Sequence, residues 1–127
     1  MRSLLIIVTA TSAACLLAGA ASGQDASAEG KRLFLQCRAC HTLKASEPKR
    51  TGPTLEGVFG AKIAGRPDYS YSAALKAMQG TWDETTLSRW LEAPAAMAPG
   101  NKMLYVGMKD AAQRQTLIDW LKKETAP

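Results

Sequence analysis

The five residues Cys37-Arg38-Ala39-Cys40-His41 constrain this chain more than any other stretch. Two cysteines three apart, with a histidine directly after the second, form C-x-x-C-H, the attachment signature of a c-type haem. On a helix, positions 37, 40 and 41 stand at i, i+3 and i+4, so both sulfurs and the imidazole share one face. One flat ligand then meets all three. The thiols become thioethers to its vinyl groups, and the imidazole becomes an axial iron ligand.

Other uses of the same residues fit less well. A structural zinc site needs four ligands, yet the chain offers one further cysteine, Cys15, in a segment that reads as removed, and His41 is its only histidine. A thioredoxin-like redox pair requires a strand-helix-strand setting that does not surround this motif. The lone histidine also excludes bis-His iron and a second haem of this kind. A sixth ligand, if protein supplies one, must be of another type.

The chain opens with Arg2, a mostly apolar run over 4–21, and the small residues Ala21-Ser22-Gly23 before Gln24. That is the layout of a secretory signal peptide, so residues 1–23 are expected to be removed and 24–127 to form one domain. Left uncleaved, the run is nearly long enough to span a membrane, and association with a membrane is expected only in that form. Cys15 does not sit in a lipobox, because Ser12 stands where an aliphatic residue belongs and Leu16-Leu17 follows. A mitochondrial transit peptide would be richer in Arg and amphipathic, so a periplasmic address is expected. The formal charge of +5 falls to +4 with the loss of Arg2, since residues 1–23 carry no acid. A balance that modest suits docking on acidic protein patches and gives no reason to expect nucleic acid.

A domain this short buries little surface by itself. Alternating strand patterns are few, and short helical stretches are separated by Gly and Pro. The expected fold is all-α: three to five short helices and long loops wrapped around one covalently bound haem, largely unfolded without it.

The first helix is expected to begin near Asp25 or Ser27. Its apolar stripe, Gly30, Leu33, Phe34 and Cys37, ends in the haem motif. Gly30 costs about 1 kcal/mol in helix propensity relative to Ala, which points to close approach of another helix. Residues 42–65, broken by Pro48, Gly52, Pro53, Gly57 and Gly60, read as a long loop, the kind that wraps a ligand. Ser70 or Ser72 caps a short helix through Met78. Thr81 with Glu84 makes a capping box for the next, with Leu87, Trp90 and Leu91 inward and Pro94 as its stop. A last helix opens at Asp110 with Gln113 three residues on, and buries Leu117, Ile118 and Leu121. Between them, 95–109 reads as irregular, rich in Met and containing Pro99-Gly100. Four methionines follow the leader: Met78, Met97, Met103 and Met108. Met fills core gaps readily, so composition leaves the second ligand open, with the three in the irregular stretch better placed than Met78.

Beyond the haem motif, Thr51-Gly52-Pro53-Thr54-Leu55-Glu56-Gly57-Val58-Phe59-Gly60, Tyr69-Ser70-Tyr71-Ser72, Thr81-Trp82 and Pro99-Gly100-Asn101-Lys102-Met103 follow in order. As a set they closely resemble the class I cytochromes c of the soluble bacterial and mitochondrial type, over 30–121. The resemblance implies that Met103 is the thioether axial ligand opposite His41. It implies that Pro53 accepts the ring N–H of His41, that Tyr71 and Trp82 donate to a haem propionate, and that Gly30 and Phe34 meet the last helix near Leu117 and Trp120.

The same resemblance implies a monomeric one-electron carrier and not an enzyme. Its donor would be a periplasmic or membrane-bound dehydrogenase or cytochrome bc-type complex, and its acceptor an oxidase or similar protein, with transient docking at a basic rim. Two alternatives stand beside it: a haem-based ligand-binding or peroxidase-like protein with a labile Met, and a dedicated subunit of one oxidoreductase complex. Several positions depart from the pattern. Trp90 stands where a Tyr is usual, Ala61 where an Arg often supports a propionate, and Asn101 where Thr is usual. Arg50, Lys102 and Lys109 keep the basic rim, while Ala95, Ala96 and Asp110 occupy positions that are often Lys.

Overall fold

The structure, a computed structural model, describes residues 19–127, with side chains from residue 23 onward. Five helices follow in order: α1 (Gly19–Arg38), α2 (Ala73–Lys76), α3 (Glu84–Glu92), α4 (Pro94–Met97) and α5 (Ala111–Glu124). Among the described residues the only β pairing is an isolated antiparallel bridge between Lys62 and Thr81. The all-α expectation holds. Of the expected leader, residues 1–18 lie outside the described residues, and 19–23 open α1.

Helix ends follow from local chemistry, not always at the expected residue. α1 starts upstream of Asp25 and Ser27, which lie exposed inside it. The Ala-rich sequence before Glu29 contains no Pro, and Ala is the strongest helix former, so nothing stops the helix there. Ser72 caps α2, its Oγ accepting from the Leu75 amide at 3.1 Å. Asp83, not Thr81, caps α3, with Oδ1 accepting from the Thr86 amide at 2.6 Å. Thr81 is engaged instead in the bridge to Lys62. Pro94 follows the end of α3 and also opens α4, where a missing N–H is harmless. The irregular stretch therefore begins only after Met97. Asp110 caps α5 as expected, accepting from the Gln113 amide at 3.0 Å.

The framework is the crossing of α1 over α5. A Cβ on Gly30 would lie 2.2 Å from Trp120 Cβ, so the two backbones can approach this closely only over a glycine. Beside it, Phe34 packs on Trp120 with ring centroids 5.3 Å apart. Leu33, Leu117, Ile118 and Leu121 are buried around this contact, and α3 closes on α5 through buried Leu87, Trp90 and Leu91.

Arg114 completes the join. Its buried guanidinium donates through Nη1 to Met108 O at 2.7 Å and Lys109 O at 2.9 Å, and through Nε to Ser88 Oγ at 3.2 Å. One side chain thus ties α5 to α3 and to the segment after Met103. Sequence reasoning misses this residue, although it stands one turn before Leu117 on the same apolar stripe. A cation on a buried stripe is the available signal.

Candidate haem site

Cys37 lies in the last turn of α1, and the helix geometry persists just beyond it. The amides of Cys40 and His41 both donate to Cys37 O at 3.0 Å, which keeps the three side chains in their i, i+3, i+4 relation. His41 Nδ1 is 2.8 Å from Pro53 O. A carbonyl only accepts, so Nδ1 carries the proton and the Nε2 lone pair is free. Burial holds the His41 pKa below its ordinary value, opposed by the Pro53 carbonyl, and the ring is accordingly neutral and able to ligate. Gly52 makes this approach possible: its amide donates to Cys40 O at 2.7 Å, and a Cβ there would lie 2.7 Å from His41 Cε1.

Cys37, Cys40, His41, Pro53, Tyr71, Trp82 and Met103 all line one cavity of about 480 Å³. That volume falls within the range of cofactor pockets. Its apolar walls include Phe34, Leu55, Leu75, Leu91 and Leu121, which also belong to the core or pack against it. Burial, with the neighbouring Cys40 sulfur adding to it, pushes the Cys37 thiol up to about 11. Of the four methionines, Met103 alone lines the cavity; Met108 is buried in the core, and Met97 lies in α4. Two thiols, a neutral imidazole, one thioether and apolar walls fit a covalently held haem.

Met103 is held by its neighbours. The Asn101 side chain accepts from the Met103 amide at 2.8 Å and donates to Pro94 O at 3.1 Å and Ala98 O at 3.0 Å. Lys102 Nζ donates to Ser70 O at 2.8 Å, pinning the same segment to the chain before α2. Farther on, the Met108 amide donates to Leu91 O at 2.7 Å. Sequence reasoning marks Asn101 only as a departure from Thr; its bridging role becomes visible once α4 supplies carbonyls to bridge.

Trp82 is fixed by backbone pairing: its N–H donates to Ala61 O at 2.9 Å, and its carbonyl accepts from Gly60 at 2.8 Å. Trp90 packs on it, centroids 5.6 Å apart at 60°. Tyr71 meets Tyr69 edge-on at 4.8 Å. Burial raises the Tyr71 phenol pKa, with the charge of Arg66 opposing, so the hydroxyl stays protonated as a donor at neutral pH. Arg66, absent from the sequence-based site, also lines the cavity.

A small all-α domain built on a C-x-x-C-H turn, with a neutral histidine and a methionine on one apolar cavity, defines a covalent haem protein. Residues 27–124 match the cytochrome c family, and the chain belongs to it. It is similar to cytochrome c2 of Rhodomicrobium vannielii, 40% identical over 93 residues that cover 73% of this chain and 74% of that protein. Cytochrome c of Cochliobolus lunatus is 42% identical over 98 residues, covering 76% and 91%. Cytochrome c-550 of Bradyrhizobium diazoefficiens is 40% identical over 90 residues, covering 71% and 66%. The chain is therefore a mono-haem electron carrier rather than an enzyme. Its cofactor is haem c with iron, Cys37 and Cys40 fit a C-x-x-C-H attachment pair, and it exchanges electrons with redox partners. Among the described residues no helix is long and apolar enough to cross a membrane.

Proposed function

We propose that this cytochrome c is exported to the periplasm, loses residues 1–23 and works there as a monomer. It carries single electrons from a dehydrogenase or cytochrome bc-type complex to a terminal acceptor such as an oxidase. The observation that carries the reading is the shared lining: His41, with Nδ1 committed to Pro53, and Met103, anchored by Asn101, face the same cavity as both cysteines.

In this reading His41 Nε2 and the Met103 sulfur would ligate the iron, and Pro53 holds the imidazole in the tautomer that leaves Nε2 free. When bound, the haem supplies a ferric/ferrous couple, and a thioether ligand favours the ferrous state. Tyr71 and Trp82 would donate to a haem propionate, since buried charge needs hydrogen-bonding partners. With an imidazole and a thioether both held at the cavity by the chain, little would have to move on electron exchange, and oxygen or peroxide would find the iron already ligated. On the Met103 segment, Leu104 and Val106 are almost wholly exposed, with Lys102 and Lys109 beside them. A small apolar contact with a basic rim supports brief docking on an acidic partner surface.

Absorption spectra of the haem-loaded protein test the ligand set. The native protein is expected to be low-spin in both states, with the weak long-wavelength sulfur-to-iron band when ferric and no response to carbon monoxide. Met103→Ala should lose that band and bind carbon monoxide when ferrous. An unchanged, closed spectrum in the variant would assign the sixth position elsewhere. Carbon monoxide binding by the native protein would replace electron carriage with ligand binding or peroxide chemistry.

A further inference from the structure

The charged side chains that line the haem cavity, His41 apart, are all cations: Lys62, Arg66 and Lys102. Such a lining favours negative charge in whatever the cavity holds. Lys102 is committed to Ser70 O at 2.8 Å, and Lys62 is exposed to solvent. Arg66 differs from both. Its Nη1 donates to Glu56 O at 3.1 Å, whereas its Nε is shut off from solvent without a hydrogen-bond acceptor among the described residues. The Asp68 carboxylate stands 3.4 Å from Nε without hydrogen-bond geometry. Buried donors in folded proteins are nearly always satisfied, so this guanidinium calls for an acceptor that the described residues do not supply.

The backbone before Arg66 is strained in a way that brings it there. Ala64, at φ 54°, is the one non-glycine with positive φ among the described residues. In that region Cβ crowds the backbone, and strain of this kind collects at functional sites. The Gly65 amide closes on Lys62 O at 3.0 Å, and this tight turn leads the chain from the Lys62–Thr81 bridge to the cavity wall at Arg66.

We infer that Arg66 is the ion-pairing partner of a haem carboxylate, the charged member of a group whose neutral donors are Tyr71 and Trp82. This rests on the haem placement proposed above. Two neutral donors can hydrogen-bond a carboxylate but cannot balance its charge, and a buried carboxylate without a cation is costly. A guanidinium offers charge and a planar donor fork together. Position 61 on the same wall is Ala and brings no charge. Asp68 and Tyr71 face Arg66 from its own segment, and Glu56 faces it through its carbonyl. The Glu56 carboxylate itself turns to the Ala45 amide at 2.9 Å and to Lys44 at 3.9 Å.

The test is the midpoint potential of haem-loaded Arg66→Gln, Arg66→Lys, Asp68→Asn and Lys49→Ala, titrated from acid to alkaline pH; Lys49 is an exposed cation outside the cavity lining. Removing the cation raises the proton affinity of the carboxylate. Arg66→Gln should therefore show a lower potential at alkaline pH and a new inflection near neutrality, with potential falling as pH rises through it. Arg66→Lys should restore most of both, Asp68→Asn, which removes an anion beside Arg66, should not lower the potential, and Lys49→Ala should track the native protein. Arg66→Met, which keeps the packing of the stem, gives the same readout if the Gln variant loads poorly. Potentials in Arg66→Gln and Arg66→Met that track the native protein in level and slope overturn the inference, as does an Asp68→Asn curve that matches theirs. The low-spin, carbon-monoxide-silent spectrum of the native protein is read in parallel, and its absence counts against the axial-ligand reading instead.

Discussion

Asn101 is a small side chain with a large positional effect. Its amide is flat, with an acceptor at one end and donors at the other, and both ends are used: Met103 N–H on one side, Pro94 and Ala98 carbonyls on the other. A net hydrogen bond contributes about 0.5–1.5 kcal/mol, so losing the Met103 anchor should favour local opening by about two- to tenfold. Asn101→Ala is therefore expected to bind exogenous imidazole in the ferric state about two- to tenfold more tightly while keeping its global thermal stability within a few degrees. Equal affinity in the variant and the native protein would show that the anchor does not hold the methionine. At this scale His41 is legible in the sequence alone, because a single histidine beside two cysteines leaves no competitor. Asn101 and Arg66 are not, because an amide or a guanidinium acquires a role only from carbonyls and cavity walls brought by distant segments.

Between elements, the governing contact is α1 against α5. Propensity alone says that replacing Gly30 by Ala should stabilise α1 by up to about 1 kcal/mol. The crossing says the opposite, since the added carbon would meet Trp120 Cβ at 2.2 Å and the helices would have to part. Overpacking of this kind costs about 1–3 kcal/mol. Gly30→Ala is expected to lower stability by about 2 kcal/mol in denaturant titration of the haem-loaded protein, and a stabilised variant would mean that the helices separate at little cost. The cap of α5 can be read from Asp110, a capping residue ahead of an apolar stripe, whereas the sequence narrows that of α2 to Ser70 or Ser72 and the structure selects Ser72. The cap of α3 cannot be read from sequence: Thr81, two residues before Asp83, offers an equally good pattern, and the pairing with Lys62 removes it. α1 begins earlier than its polar residues indicate because a run of alanines continues a helix as readily as a cap begins one.

For the whole molecule, the candidate haem cavity is walled by the core itself. A cavity of about 480 Å³ lies among Phe34, Leu75, Leu87, Leu91 and Leu121. At about 24 cal/mol per Å³, leaving such a space empty would cost on the order of 10 kcal/mol, an upper bound because the cavity opens to solvent. That is comparable with the entire stability of a small domain, about 5–15 kcal/mol. The double variant Cys37→Ala/Cys40→Ala, purified without haem, is therefore expected to show little helix by circular dichroism and no cooperative thermal transition. A cooperative apo transition near that of the native protein would place the stability in the helices alone.

The sequence by itself determined the cofactor chemistry, the all-α class, and the apolar stripes of α1, α3 and α5, because these depend on residue types at short, fixed spacings. It narrowed the second ligand to a segment, and resemblance then pointed to Met103. Tertiary structure decided which methionine meets the cavity, which polar residue begins α3, and which carbonyls Asn101 and Arg114 hold, and it brought Arg66 to the cavity wall. The physical reason is range. Covalent motifs, caps and stripes act within a helical turn or two, whereas the partners of a buried polar side chain are chosen by packing between segments tens of residues apart.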